Sequence, residues 1–134
     1  MRVPMYSPTM STFEDLDAFK ACHQLTLAVA RVKPRLEERD GELAARLWSA
    51  GIVASSRIAR GSGYRNTKLF RPCVDRTAAA LAEFGAYLEL ARELEMISAE
   101  DHRELESLGG RALFYVMKLA VSLETPNNPQ GSAG

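Results

Sequence analysis

Residues 43–94 read LAARLWSAGIVASSRIARGSGYRNTKLFRPCVDRTAAALAEFGAYLELAREL, and this stretch decides the fold. In each half, apolar residues recur at intervals of three and four, the spacing that places side chains on one face of a helix. The positions are Leu43, Leu47, Ala50, Ala54 and Ile58, then Val74, Ala78, Leu81, Gly85 and Leu88. Between them, Gly61 and Gly63 are predicted to end the first helix in the left-handed conformation, and Asn66 or Thr67 to cap the next. The stretch therefore predicts a helix, a corner and a second helix.

Similar apolar stripes on both sides of this hairpin predict one further helix before it and one after it. The sequence shows no strand-like alternation and no internal repeat. We expect an all-α, up-down antiparallel four-helix bundle over residues 12–124, because short links favour antiparallel neighbours. The predicted helices are 12–33, 40–60, 68–95 and a fourth that starts at Ser98, which has Asp101 three residues later.

Prolines and chain ends limit these helices. Pro34 is predicted to end the first helix, because it disfavours a helical conformation at Lys33. Pro72 is tolerated only in a first turn, so we expect a late start or a kink near residues 68–71. Residues 1–11 are predicted to form a flexible arm, and residues 125–134, which are rich in proline and glycine, a disordered tail.

The third predicted helix carries a second apolar face beside its first. It consists of Phe84, Tyr87, Ala91 and Leu94. A helix in a monomeric bundle needs only one apolar stripe of about 100°. These four residues are therefore predicted to form a subunit interface, and the protein to be a homo-oligomer.

Charge is distributed unevenly, although the 17 Lys and Arg residues balance the 17 Asp and Glu residues. Residues 43–76 hold seven cations and one anion, a local charge of +6, whereas residues 77–134 hold four cations and nine anions, a local charge of −5. Cys22 and Cys73 lie far apart in apolar helical patterns, and no apolar run approaches the roughly twenty residues that span a bilayer. We expect a cytoplasmic protein with reduced thiols and no membrane association.

Residues for catalysis or metal binding are few. Cys22 and His23 are adjacent and point about 100° apart on a helix, and His102 lies in an acidic first turn, so we expect no metal site. Ser55, Ser56 and Ser62 have no His or carboxylate near them in sequence. The segment Gly61-Ser62-Gly63 follows a helix rather than a strand, so it is predicted to be a helix end rather than a phosphate-binding loop. We expect no enzymatic activity and no cofactor.

The basic cluster is the sharpest candidate for a binding site. It comprises Arg46, Arg57, Arg60, Arg65, Lys68, Arg71 and Arg76. Arg46, Arg57 and Arg60 fall near one side of the second predicted helix. Arginine suits phosphate contacts because its guanidinium is always charged and binds in a bidentate manner. We predict binding of RNA or single-stranded nucleic acid. The alternatives are another anionic partner, a solvated face, or ion pairs with the acidic helices of the same or a neighbouring subunit.

Three spaced blocks carry a resemblance to a known family. They are Phe13-Glu14-Asp15-Leu16, then Ser56-Arg57-Ile58-Ala59-Arg60-Gly61, then Leu81-Ala82-Glu83-Phe84 with Leu88-Glu89-Leu90-Ala91. In this order the chain resembles the bacterial four-helix-bundle proteins encoded in intervening sequences of 23S ribosomal RNA genes, from about residue 13 to 123. The family usually reads N-I-A-E-G at residues 57–61, so Arg57 and Arg60 replace an Asn and a Glu.

The resemblance implies an up-down four-helix bundle that assembles as a homopentamer and has no enzymatic activity attached to it. A related bundle, the accessory variability protein of diversity-generating retroelements, also forms a pentamer, and it binds nucleic acid and a reverse transcriptase through a basic surface. Arg57, Arg60 and Gly61 occupy the N-I-A-E-G positions, and Glu83 matches the acidic residue of the third block. Arg60 makes this chain more basic than the family pattern and removes any ion pair that the usual Glu makes. An adaptor role with a protein partner and no nucleic acid is the alternative.

Overall fold

A computed structural model describes residues 13–124, with side chains from residue 16 onward. The described part contains four helices and no strand. Their bounds are α1 Phe13–Arg39, α2 Gly41–Ser62, α3 Phe70–Glu93 and α4 Ala99–Glu124. The all-α, four-helix fold class predicted from the apolar spacing is confirmed. The predicted arm at 1–11 and the predicted tail at 125–134 lie outside the described residues.

Consecutive helices are antiparallel and each packs against two others, α1 on α2 and α4, and α3 on α2 and α4. Two ion pairs show that α4 runs antiparallel to both α1 and α3. Near the end of α1, Arg35 binds Asp101 in the first turn of α4 through two bonds of 2.9 Å. At the opposite end, Arg71 at the start of α3 reaches Glu124 at 3.1 Å. The core runs along the middle of the bundle. Its largest fully buried side chains come from all four helices.

The first helix continues six residues beyond the predicted end. Pro34 lies inside α1, which ends only at Arg39. Proline removes one backbone hydrogen bond. The helix continues because Val32 and Leu36 extend its apolar stripe into the core on both sides of Pro34. The prediction that Pro34 ends the helix is therefore wrong. Burial of Leu36 stabilises the continued helix by more than the proline destabilises it.

The first backbone amides of α2 and α4 are capped by side chains. The Asp40 carboxylate accepts from the backbone amides of Glu42 and Leu43, both at 3.0 Å. The Ser98 hydroxyl accepts from the amide of Asp101 at 3.0 Å, as the spacing of these two residues predicts. Acidic residues occupy the first turns of both helices, where the helix dipole favours negative charge.

The corner between α2 and α3 depends on Asn66 and on a close approach at Gly61. Neither Gly61 nor Gly63 is left-handed. Asn66 has a φ of 72° and supplies the reversal instead, so the prediction of a left-handed glycine is wrong. Gly61 is needed for lack of space rather than for its backbone conformation. A Cβ built there would lie 3.1 Å from Cys73 Cβ and 3.2 Å from the Phe70 ring. The missing side chain lets the end of α2 approach the start of α3.

The third helix starts late, as Pro72 predicts. It begins at Phe70, which places Pro72 within the first turn. Thr67 accepts from the Leu69 amide at 3.1 Å just before the helix.

No helix in the described residues has the length and apolar character needed to cross a bilayer.

The second apolar face of α3 mostly belongs to the core of the chain itself. Phe84 is 1% exposed and Ala91 is fully buried, whereas Leu94 is 53% exposed. Tyr87 is half-buried against the core. Because α3 packs against both α2 and α4, both of its apolar faces are largely buried within one chain. Phe84 and Ala91 therefore belong to the core of this chain, and of that face only Leu94 is largely exposed. A subunit interface on α3 stays a prediction.

Candidate nucleic-acid interface

Three predicted basic residues meet in a groove between α2 and α3. Arg57 and Arg60 come from the last turns of α2, and Arg76 comes from the second turn of α3. The groove has a volume of about 210 Å³. Its remaining lining residues are Tyr64, Leu69, Pro72 and Cys73. We call these seven residues the arginine groove.

The corner brings these arginines together although they lie up to 19 positions apart in sequence. Arg57 and Arg60 are one turn apart on the flank of α2 that faces α3. The chain then reverses at Asn66, so that Arg76 on α3 returns beside them. Gly61 allows this reversal to be tight, because any side chain there would press on Cys73 and Phe70. Close packing at the corner therefore brings the three arginines to one groove.

The arginines of the arginine groove form no ion pair with the described part of the chain. No carboxylate of residues 16–124 forms an ion pair with Arg57, Arg60 or Arg76. The start of α3 adds to the positive potential, since its first turn holds no acidic residue and its N-cap makes no side-chain hydrogen bond. By contrast, α2 and α4 both begin with acidic residues. An anion in the groove would therefore meet unpaired guanidinium groups and the positive end of a helix.

Apolar surface lies beside these charges. Leu69 is exposed at the corner, and Tyr64 is half-buried against the core. Bases of single-stranded nucleic acid stack on aromatic side chains, while their phosphates bind basic ones. Tyr64 and Leu69 were not among the residues predicted to bind nucleic acid. Their position between Gly63 and Phe70, inside the basic segment, was the available signal.

Arg46 lies away from the arginine groove. It is on the same flank of α2 as Arg57, but 11 residues of helix separate them by roughly 16 Å. Its guanidinium pairs with Glu42 at 3.3 Å. Hydrogen bonding, most of all to Tyr87 and next to Glu42, raises the pKa of Arg46 above its usual value. Arg46 therefore lies on the predicted side of α2, but its guanidinium is engaged within the chain and lies apart from the arginine groove.

The other three basic residues lie on the corner or on the α3–α4 side. Arg71 binds Asp75 at 2.9 Å and Glu124 at 3.1 Å, and these hydrogen bonds raise its pKa. The Arg65 guanidinium lies 6.0 Å from the centre of the Phe70 ring. Lys68 is exposed on the corner, without an ion pair among the described residues. Ion pairing within the chain, which the sequence left open as an alternative, thus applies to Arg46 and Arg71.

The remaining candidates for chemistry have structural surroundings. His23 is exposed and stacks on Phe19, with ring centres 6.0 Å apart. His102 is buried, with Nδ1 4.0 Å from a Glu106 oxygen. Burial raises the pKa of the Cys22 thiol to about 12, so it stays protonated. Across residues 16–124, no three His, Cys, Asp or Glu side chains come together in a group able to hold a metal ion.

The three candidate serines hydrogen-bond to helix backbone. Ser55 donates to the Cys22 carbonyl at 3.1 Å, which ties α2 to α1. Ser56 and Ser62 donate to carbonyls three residues earlier on α2. None of the three is paired with a histidine within the described residues. These hydroxyls therefore act in packing, as is usual for serine inside helices.

Comparison with known proteins found no match for this chain among protein-family models, curated proteins or solved structures. The similarity to the intervening-sequence proteins therefore stays a prediction from three sequence blocks.

Proposed function

We propose that this protein is a non-enzymatic, oligomeric four-helix bundle that binds RNA or single-stranded nucleic acid through the arginine groove. The observation that carries the proposal is the convergence of Arg57, Arg60 and Arg76 without a carboxylate partner in the described chain. Side chains with these properties bind phosphates well, because no internal ion pair has to break first.

The shape and chemistry of the groove favour single strands over a duplex. The arginines line a depression of about 210 Å³ between two packed helices of the described bundle, rather than one helix that could enter a major groove by itself. Tyr64 and Leu69 offer apolar surface next to the charges, which suits unstacked bases. Binding would then depend on phosphate number and flexibility rather than on base sequence.

Self-association is part of the proposal. The resemblance to the intervening-sequence family implies a homopentamer, and several copies would multiply the number of arginine grooves on one particle. A nucleic acid that contacts two grooves would gain affinity through effective concentration, without any new type of contact.

A titration with a fluorescent single-stranded RNA of about 16 nucleotides tests the proposal. We expect the combined Arg57→Gln, Arg60→Gln and Arg76→Gln variant to lose roughly 100-fold in affinity at low salt, since each removes one charged phosphate contact. The matched control carries Lys20→Gln, Arg31→Gln and Arg103→Gln, which change net charge equally on other surfaces. Equal loss in both variants would show that only overall charge matters, and the groove would be excluded.

An assembly or adaptor protein is the second candidate. It is favoured by the ion pairs that already engage Arg46 and Arg71, and by an exposed apolar stripe on α4. In that case the Arg57→Glu, Arg60→Glu variant would dissociate the oligomer or release a protein partner, and the parent protein would not bind RNA even at about 50 mM salt.

A further inference from the structure

The outer face of α4 carries a row of exposed apolar side chains. Phe114 is 60% exposed, Met117 is 48% exposed and Val121 is 57% exposed. Their spacing of three and four residues places them on one face, opposite the buried Ala112, Val116 and Leu119. We call these three exposed residues the α4 stripe. Scattered apolar residues are common on surfaces, but a contiguous row marks an interaction site.

An apolar groove between α3 and the first half of α4 adjoins the start of the α4 stripe, because its lining on α4 ends at Leu113. Its volume is about 270 Å³. Three glycines line it, Gly85 from α3 and Gly109 and Gly110 from α4, over a floor that includes the Phe84 ring. We call it the glycine groove.

The glycines are not all required for packing within one chain. A Cβ added at Gly85 or Gly110 would meet nothing within 4 Å, and one added at Gly109 would touch the Phe84 ring at 3.4 Å. Glycine inside a helix costs about 1 kcal/mol relative to alanine. Gly85 and Gly110 therefore lower helix stability while leaving open space, which is what a site for an inserted side chain requires.

The charges on the two sides of the α4 stripe indicate what fills this space. Glu106 lies on the edge next to the glycine groove, while Arg111 and Lys118 lie on the opposite edge. Neither Arg111 nor Lys118 has an ion pair within residues 16–124. If neighbouring copies place their α4 helices side by side and parallel, the acidic edge of one copy meets the basic edge of the next, a head-to-tail contact that a ring of several copies can repeat. An antiparallel arrangement would instead bring like edges together, which costs free energy.

The parallel arrangement also aligns the shapes. Helical side chains tilt toward the N-terminus, so the Phe114 ring covers the level of Gly110, one turn earlier. Five residues, or roughly 8 Å of helix, separate Glu106 from Arg111, a distance that a long arginine side chain can bridge between copies.

We propose that a second copy of this chain occupies the glycine groove, with Phe114 of one copy inserted between Gly85 and Gly110 of the other and Arg111 paired with Glu106. This surface deepens the self-association in the proposed function and rests on it.

Light scattering after size-exclusion chromatography tests this contact. The parent should have a mass that is a multiple of 14.8 kDa. Phe114→Ser removes the inserted ring, and Gly85→Leu fills the groove from the other side. Each should raise the dissociation constant about 30-fold or more, as the loss of a buried aromatic anchor does.

Two further comparisons separate the contact from general effects. Leu27→Ser removes an equally exposed apolar side chain from α1 and should leave the mass unchanged. Arg111→Glu should weaken association, and adding Glu106→Arg should restore it, which a loss of folding would not do. Circular dichroism should show parental helicity in every variant.

A parent mass of 14.8 kDa at all concentrations would overturn the inference, as would an oligomer that Phe114→Ser and Gly85→Leu leave intact. The RNA titration is read separately, because none of these substitutions lies in the arginine groove. A Phe114→Ser monomer that still binds RNA would support the interface and leave nucleic-acid binding standing. An intact Phe114→Ser oligomer that binds RNA would refute only the interface.

Discussion

Substitution of Gly61 tests the close approach of α2 and α3 on which the arginine groove depends. With alanine, a Cβ 3.1 Å from Cys73 Cβ and 3.2 Å from two Phe70 ring carbons has to gain several tenths of an ångström to reach an ordinary contact near 3.5–4.0 Å. Both neighbours are buried, so they cannot move into solvent. Valine adds two methyl groups to the same crowded space.

The expected magnitude follows from two opposing effects. Overpacking a dense core costs about 1–3 kcal/mol, whereas replacing a helical glycine by alanine gains up to about 1 kcal/mol. In Gly61→Ala a single methyl group needs only a few tenths of an ångström of relief, so its steric cost lies at the low end of this range and the two effects largely offset each other. In Gly61→Val the steric cost dominates, and we expect the free energy of unfolding to fall by about 1–3 kcal/mol. Gly41→Ala is the matched control, since its Cβ meets nothing within 4 Å. We expect it to be neutral or slightly stabilising.

Urea denaturation followed by far-UV circular dichroism measures this difference, at one fixed protein concentration because association shifts apparent stability. The midpoint should decrease in the order parent or Gly61→Ala, then Gly61→Val, with little change in slope. A Gly61→Val protein as stable as the Gly41→Ala control would refute the reasoning, because it would mean that the two helices are not in contact at Gly61.

Three further predictions follow from buried groups. Phe84→Ala should lower the free energy of unfolding by about 3–5 kcal/mol in urea titrations, because it leaves a cavity in the core; a loss below about 1 kcal/mol would contradict its burial. Hydrogen bonding and attraction to Arg35 lower the pKa of Asp101, so this carboxylate stabilises the fold above its unfolded pKa of about 3.9 and ceases to do so as the pH falls through its lower folded value. The stability difference between the parent and Asp101→Asn should therefore shrink between about pH 5 and pH 2 in urea titrations, and a constant difference would exclude this linkage. Finally, in a Cys73→Ala background a thiol reagent at about pH 8 should label Cys22 only as the chain unfolds, because burial raises the Cys22 pKa to about 12; rapid labelling of the folded protein would show that this site is open.

Local patterns predicted the number and type of the helices because apolar spacing is a property of neighbouring residues. Ser98 and Pro72 acted as their chemistry predicts, one as a cap and one inside a first turn. Pro34 did not, because the burial of Leu36 is a tertiary effect that a local rule does not include. The same limit explains Asn66, since which residue becomes left-handed depends on how closely the two helices pack at Gly61.

The basic residues of the candidate site can be named from the sequence, but their arrangement in space cannot. Sequence spacing gives the direction of a side chain around a helix, but it does not show which flank meets a neighbouring helix. For this reason the basic cluster divides into the arginine groove, the internally paired Arg46 and Arg71, and the residues of the corner. The α4 stripe was visible as apolar residues at 114, 117 and 121, outside the core-facing stripe of the same helix. Its position next to the glycine groove depends on how α3 packs against α4, which the sequence does not show.

The salt dependence of RNA binding tests nucleic-acid recognition most directly. For single strands, the slope of log affinity against log salt is about −0.7 for each phosphate that is neutralised, so three arginines give a slope near −2 and roughly a 20-fold loss between 50 and 200 mM salt. We predict a slope of about −2 or steeper for the parent. The variant with Gln at positions 57, 60 and 76 should have a slope that is shallower than the parent's by about 2. Absence of binding at 50 mM salt, or the same slope in both proteins, would contradict binding through the arginine groove.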